Sequence, residues 1–277
     1  MISGTTSVIA HLGWPTEAFK APLIYNPWFE ANGIDAVVVP MGVKAEDYAA
    51  FLPVLFRLSN VHGALVTMPH KVTTVSLVDA LSTTAAIAGA CNAVRRRENG
   101  ALEGDMFDGT GFVRGVQRKG MAIEGTRCLV VGTGGVGSAI AASLAHAGAR
   151  TLALYDTRAG SMSELARRLR THYPALEVPL GSNDPAGYDL VVNCTPLGMR
   201  EGDPLAFDVA RLDPHAFVGE VVMARHLTPL LEAARARGCR IQPGLDMLFE
   251  MIPAYLDFFG FGTATPDALR ATARVSY

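Results

Sequence analysis

The sequence predicts an α/β fold made of two α/β parts. Three observations carry that prediction. Short β-branched runs alternate with longer helical patterns along the chain, as in βα units around a mainly parallel sheet. A strand, a glycine loop, a helix and a second strand follow one another in "TRCLVVGTGGVGSAIAASLAHAGARTLALYD". The length, 277 residues, exceeds that of a typical single domain.

In the first part, Ser7 to Leu12, Ile34 to Val39 and Gly63 to Met68 read as strands. Between them, "APLIYNPWFEANG" and "AEDYAAFLPVLFRLS" read as helices, the first entered near a proline and ended at Asn32-Gly33. "CNAVRRRENGALEGD" reads as two short extended pieces around Asn99-Gly100, a strong hairpin-turn signal. Beyond the glycine loop, strands continue through "DLVVNC", "AFVGEVV" and "CRIQPG". The tail "GLDMLFEMIPAYLDFFG" is apolar nearly all round, which predicts a buried helix.

The composition, 49% hydrophobic and 18% charged, is that of a globular chain, and its formal net charge is −2. No block of like charge is longer than Arg95-Arg96-Arg97, so neither nucleic acid nor a membrane surface is an expected partner. A small molecule is the expected partner, and the chain is expected to be a monomer or a homodimer. The first residues lack a lysine or arginine ahead of an apolar stretch, and no window reaches roughly 18 uninterrupted apolar residues. The expectation is therefore no signal peptide, no membrane helix and a cytoplasmic location. Cys91, Cys128, Cys194 and Cys239 form no CxxC and no zinc-spaced cluster, so they are expected to be reduced, buried packing residues, and no metal is expected.

After "CLVV" comes Gly132-Thr133-Gly134-Gly135-Val136-Gly137, a complete GxGxxG opening a helix near Val136. Gly132, Gly134 and Gly137 serve the tight turn, the close approach of backbone to a pyrophosphate, and the packing of helix on strand. The helix N-terminus then offers unpaired N–H groups to the phosphates. An acidic residue, Asp156, closes the next strand about 20 residues later, which completes the dinucleotide-binding pattern of a Rossmann-type domain. A carboxylate there accepts both ribose hydroxyls of NAD and repels the 2′-phosphate of NADP, so NAD is the expected cofactor, with NADP the alternative. Arg158, two residues on, admits three readings: a partner for a 2′-phosphate, a stack on the adenine, or a solvated arginine.

Six further stretches occur in a fixed order: "VTMPHK" at 66–71, "AGACNAV" at 88–94, "EGDMFDGTG" at 103–111, "VVGTGGVGSA" at 130–139, "NCTPLGM" at 193–199 and "PGLDML" at 243–248. Together they resemble the shikimate dehydrogenase family, including its quinate/shikimate members, over nearly the whole chain. The resemblance implies a split α/β substrate domain, residues 1–107 and 243–277, around a Rossmann-type dinucleotide domain, residues 108–242, with the active site in the cleft. It also implies NAD(P)-dependent, reversible hydride transfer between the nicotinamide and one alcohol of a cyclic polyol acid. On matching positions, Lys71 is the catalytic lysine, Asp108 its carboxylate partner, Asn92 a substrate hydrogen-bonding residue and Thr67 a further substrate contact. The cofactor is implied to meet Gly132, Gly134, Gly135, Val136, Gly137, Asp156, Thr157 and Arg158, then Thr195, Pro196, Leu197, Val221, Met223 and Gly244.

The chemistry agrees with that assignment. Alcohol oxidation needs a group that accepts the hydroxyl proton as hydride leaves, and reduction needs the same group to return it. A lysine in a desolvated cleft loses affinity for its proton, whereas an adjacent carboxylate restores it, so the two together poise an amine for transfer in both directions. The bland alternatives are a surface lysine at a helix start and an N-cap role for Asp108 ahead of "GTGFVRGVQRKG". His70 stands where relatives often carry an aromatic or apolar residue, so packing or support of a neighbouring site residue is expected, with tuning of Lys71 the alternative; His11, His62, His146 and His226 share no spacing and read as structural or solvated.

The chain departs from the family where a substrate carboxylate is bound. A Ser-x-Ser-Pro segment reads Phe19-Lys20-Ala21-Pro22, Leu65 stands for an asparagine, Met251 for a glutamine and Met223 for a tyrosine, and Met106-Phe107 replace a polar pair. Phe19, Ala21, Leu65 and Met251 are thus expected at the substrate, with shikimate a poor one; Lys20 partly offsets the loss. The competing functional readings are a dinucleotide-binding sensor without turnover, disfavoured by retention of Lys71 with Asp108, and a methylene-tetrahydrofolate type dehydrogenase, which "CNAV", "DGTG" and "PGLDML" fit poorly.

Overall fold

The computed structural model describes residues 2–275, and they form two compact units. One runs through Phe107 and resumes at Ile252; the other spans Asp108–Met251.

The first unit is a six-stranded mixed sheet. Its strands are β1 (Ser7–Gly13), β2 (Ala36–Gly42), β3 (Val61–Val66), β4 (Ala80–Leu81), β5 (Ala93–Arg96) and β6 (Leu102–Asp105), in the order β2-β1-β3-β5-β6-β4. β1 pairs in parallel with β2 and β3, while β5 is antiparallel to β3 and β6. The β5–β6 hairpin turns at Gly100, whose φ of 86° a side chain would oppose, as the Asn-Gly signal implies. β2 continues through Pro40 to Gly42, beyond the expected end at Val39, because an edge strand tolerates a missing donor.

Helices α1 (Pro22–Ala31), α2 (Ala45–Leu55), α3 (Lys71–Thr74) and α4 (Thr83–Ala88) connect these strands. Ala10 and Leu12 of β1 pack with Tyr48, Leu52 and Leu55 of α2 into one core, so the alternate β1 residues Ile9 and His11 lie on the other face. Pro27 sits inside α1 and cannot donate to the carbonyl four residues earlier, Leu23; the backbone N–H of Arg274 fills that acceptor at 2.8 Å.

The second unit begins with α5 (Asp108–Arg118) and holds five parallel strands: β7 (Arg127–Val131), β8 (Thr151–Tyr155), β9 (Leu190–Asn193), β10 (Phe217–Glu220) and β11 (Arg240–Gln242), in the order β11-β10-β9-β7-β8. The connections include α6 (Gly135–His146), α7 (Ala159–His172), a short 3₁₀ turn and α8 (Pro229–Ala236). This is the doubly wound arrangement that the alternating βα pattern predicts.

The apolar tail forms α9 (Gly244–Phe258), followed by α10 (Pro266–Thr272). The boundary between the units falls inside α9, so residues 243–251, expected with the first unit, cluster with the second. Gly111 of α5 supplies the physical reason. A Cβ there would lie 2.6 Å from the Met247 carbonyl oxygen and 2.6 Å from the Met251 Cβ, so α9 packs against α5 at backbone distance. Lys119–Asp246, at 2.9 Å, and Arg118–Glu250, at 3.1 Å, reinforce the same pairing.

Candidate active site

In the first unit, the expected substrate residues gather at the C-terminal ends of β1 and β3, where open α/β sheets bind ligands. His11 of β1 is in register with Leu65 of β3, and Leu65 with Ala93 of β5. Past the strand, the Thr67 N–H donates to the Leu12 carbonyl at 2.9 Å, and the His70 N–H to the Thr67 carbonyl at 3.0 Å. That turn, with a cis Met68-Pro69 bond, delivers Lys71 to the first position of α3. The Lys71 carbonyl accepts from the Cys91 N–H at 2.8 Å, which ties the lysine to the segment carrying Asn92.

Asn92 is buried and heavily used. Its backbone pairs with Val66 and Asp105, and its side-chain Oδ1 accepts from the Phe107 N–H at 3.0 Å. The residue expected as a substrate contact therefore holds the backbone at Phe107, within the first unit. His70 packs, as its position implies. Its ring stacks on Tyr48 at 3.9 Å between centroids, its Nε2 lies 2.8 Å from the Val43 carbonyl oxygen, and burial lowers its affinity for a proton.

Phe19 and Ala21 stand before and at the start of α1, where Ala21 is the buried N-cap residue. Phe19 stacks on His11, with centroids 4.1 Å apart. Gly13 makes this possible, because a Cβ there would meet Thr67 Cγ2 at 2.5 Å and Phe19 Cζ at 2.7 Å. For His11, expected to be structural or solvated, the structure gives a structural place with features the sequence missed. It is buried, its Nδ1 has no hydrogen-bond partner, and burial together with the charge of Lys71 brings its pKa down to about 3. A histidine inside a β-branched run was the available signal.

In the second unit, Gly132 leaves β7 with φ 99° and Gly134 caps α6, which begins at Gly135, one residue earlier than expected. A Cβ on Gly137 would lie 1.9 Å from the Gly132 carbonyl oxygen, and one on Gly132 would lie 2.8 Å from the Cys194 backbone, so both positions must be glycine. Gly134 is different: its Cβ would meet only Arg158, at 4.0 Å, so this stretch of backbone stays open to a ligand. Gly135 and Val136 form the first turn of α6. The loop therefore has the cradle that a dinucleotide pyrophosphate requires.

Asp156 departs from its expected single role. Its Oδ2 accepts from the Thr133 N–H at 2.7 Å, and its Oδ1 from the Arg158 N–H at 2.9 Å and Nε at 3.3 Å. Burial raises its pKa, but the bonds from Arg158 and Thr133 outweigh that and bring it to about 2. The carboxylate thus clamps the glycine loop to β8, with Thr157 and Arg158 exposed beside it.

Asn193 organises the segment after β9. Its Oδ1 accepts from the Thr195 N–H at 3.0 Å and hydroxyl at 2.6 Å, and its Nδ2 donates to the Leu197 carbonyl at 3.0 Å, around an exposed Pro196. Val221 and Gly244 come together, since a Gly244 Cβ would lie 2.8 Å from the Val221 carbonyl carbon; Met223 is half-buried in the following turn. Asp108, buried, opens α5, and its charge helps raise the pKa of Cys194 beyond what burial does. All four cysteines are free thiols, and Cys91, Cys128 and Cys239 are buried as expected, whereas Cys194 is only partly buried.

Glu220, on the last position of β10, was also missed. It is buried, its Oε2 accepts from the Thr228 hydroxyl at 2.9 Å, its Oε1 has no partner, and burial pushes its pKa up to about 7. The signal was a lone carboxylate inside the apolar run "AFVGEVV". No group of three or more metal-ligating side chains occurs among the described residues, and none of their helices is long and apolar enough to cross a membrane.

Comparison with known proteins agrees with this architecture. Residues 12–94 match the shikimate dehydrogenase substrate binding domain, and residues 113–172, around the glycine loop, match the ThiF family. The shikimate dehydrogenase (NADP(+)) of Geobacter metallireducens is 36% identical over 89% of this chain and 88% of its own length. That of Acidiphilium cryptum is 34% identical over 99% of this chain and 98% of its own. Among solved structures, shikimate 5-dehydrogenase from Listeria monocytogenes in complex with shikimate and NAD superposes with a TM-score of 0.90 at 25% identity, covering 98% of this chain and 97% of that one. Quinate dehydrogenase from Corynebacterium glutamicum in complex with NAD gives 0.85 at 27% identity, covering 96% and 98%. With relatives this similar along almost its full length, the chain belongs to the shikimate dehydrogenase family of two-domain α/β oxidoreductases.

Proposed function

We propose that the protein catalyses reversible hydride transfer between a nicotinamide dinucleotide and a ring alcohol, with Lys71 as the proton-transfer residue and Asp108 as its carboxylate partner. The observation that carries this reading is the fixing of Lys71. Its carbonyl is bonded by Cys91 at the first residue of α3, directly after the β3 strand end and beside the rigid Asn92. The nicotinamide supplies the hydride acceptor and donor. Lys71 takes the hydroxyl proton on oxidation and returns it on reduction, and Thr67 and Asn92 orient the ring. The open backbone at Gly134 and the N-terminus of α6 hold the pyrophosphate.

NAD is the proposed preferred cofactor, because Asp156 stays ionised at the end of β8 and opposes a 2′-phosphate. We expect kcat/KM to favour NAD over NADP by more than ~10-fold, about 1.4 kcal/mol. Steady-state kinetics with both cofactors checks this, and equal use would mean that the Arg158 guanidinium, 3.3 Å from the carboxylate, cancels its charge.

Shikimate is proposed to be a poor substrate. Phe19 and Ala21 replace two hydroxyl donors, and each hydrogen bond to a charged group is worth about 1.5–3 kcal/mol, so a ring carboxylate loses at least ~100-fold in affinity. The expected kcat/KM for shikimate and quinate lies below the ~10⁴ M⁻¹ s⁻¹ floor of ordinary enzymes. Turnover across a panel of shikimate, quinate and neutral ring alcohols tests both this and the reaction itself. Normal efficiency on shikimate refutes the substrate assignment, and no NAD(P)-linked turnover of any ring alcohol refutes the function.

A further inference from the structure

Around Lys71, the first unit presents an aromatic surface in which polar capacity is present but sealed. Phe19 lies flat on His11, with centroids 4.1 Å apart and planes 29° apart, and rests on Gly13 beside the Thr67 methyl. Beneath it, His11 Nδ1 is buried without a hydrogen-bond partner, which ordinarily costs a fold stability. The imidazole is also neutral at any working pH, held so by burial and by the nearby Lys71 charge. Leu65, in register with His11, adds a buried apolar neighbour.

We infer that the His11–Phe19 stack is a specificity-determining wall, which turns the Lys71 site toward uncharged ring alcohols and away from ring acids. This names a substrate class within the hydride-transfer reading and rests on it. The argument is electrostatic. The face of an aromatic ring carries negative potential, so it attracts cations and repels a carboxylate. A neutral imidazole under that ring offers no counter-charge, and a carboxylate desolvated against the pair loses its water without gaining a partner. An uncharged ring, by contrast, gains apolar contact with Phe19 while its hydroxyls keep Lys71 and Thr67. Lys20, next to Phe19 in sequence, is a second cation able to reverse this preference, so the experiment has to read it.

The test compares shikimate with its methyl ester, which keeps the same ring alcohols and masks the charge. In the full-length wild type, kcat/KM is expected to favour the ester by tenfold or more. Phe19→Ser removes the ring face and uncovers His11 Nδ1, and is expected to shift the ester-to-acid ratio toward the acid by at least tenfold. His11→Phe added to Phe19→Ser takes part of that shift back, which a general loosening of the site would not do. Lys20→Ala removes the cation that partly offsets the lost hydroxyls and is expected to raise the ester preference further. A wild type that prefers the acid, or a ratio unmoved by Phe19→Ser in protein that still binds NAD normally, overturns the inference. The wild-type comparison needs no variant, so misfolding of Phe19→Ser does not protect it. If no ring alcohol is turned over, the hydride-transfer reading fails separately. Calorimetric binding of acid and ester to the NAD-loaded protein then still decides the preference.

Discussion

Lys71→Ala is expected to lower kcat by ~10² or more while NAD affinity stays nearly unchanged, the signature of a lost general acid and base. The substitution removes the amine but not the backbone bond from the Cys91 N–H to the residue 71 carbonyl, so α3 keeps its anchor. The glycine loop and the Asp156 clamp belong to the other unit and are untouched. His11, freed of a nearby positive charge, remains buried, so no new cation replaces the lost one. Single-turnover kinetics alongside a direct cofactor titration separates the two quantities. Turnover within threefold of wild type in a clean preparation would remove Lys71 from the mechanism.

Glu220→Gln is expected to stabilise the protein at pH 8 and to flatten its dependence on pH. The Glu220 carboxyl is held at about 7 against an ordinary 4.5, chiefly by burial, with Thr228 and Asn193 opposing. Because the folded pKa is raised, the folded state binds more protons than the unfolded chain between these values. Stability therefore falls as pH rises from 4.5 through 7. Above pH 7 the ionised carboxylate costs the folded state about 3 kcal/mol. Glutamine keeps an oxygen for the Thr228 hydroxyl, 2.9 Å away, and cannot ionise. Urea denaturation at pH 5 and pH 8 should give similar midpoints for the two proteins at the lower pH and a higher midpoint for the variant at pH 8. Parallel pH profiles would mean that Glu220 titrates as it does in the unfolded chain.

The sequence announces those parts of the fold that repeat a pattern over enough residues. β1, β2, β7 and β9 stand out as β-branched runs, and the glycine loop stands out because three glycines, a strand and a helix must coincide. β4, α3 and α4 have two, four and six residues, too few for any period to show. The place of Lys71 in the fold was nonetheless legible, since its neighbours "VTMP" and "VTT" mark a strand end and a helix start. His11 and Glu220 were not. Each is a single polar residue in an apolar strand, and what makes it notable, burial with one atom unpartnered, is created by segments that join it from elsewhere in the chain. Asp156 was located correctly at the end of its strand, but its bonds to Thr133 and Arg158 arise from the loop's three-dimensional closure. Likewise, nothing local in "PGLDMLFEM" reveals that Gly111 lets it lie against α5 rather than with the rest of the tail.

The division of the first unit into two stretches of chain sets an order on its biosynthesis. The second unit is contiguous and has all its residues once Met251 has been made. The first unit starts emerging earlier yet finishes later. On β3, Gly63 leaves a slot into which Phe259 fits so closely that an added Cβ would sit 2.3 Å from its ring, and that phenylalanine is synthesised almost two hundred residues afterwards. Until it arrives, one face of the sheet lacks its cover, and contacts this distant in sequence form slowly. The usual N-terminus-first sequence of domain maturation is therefore inverted in this chain, and the interval before residue 259 is when its nascent form most needs protection from other chains.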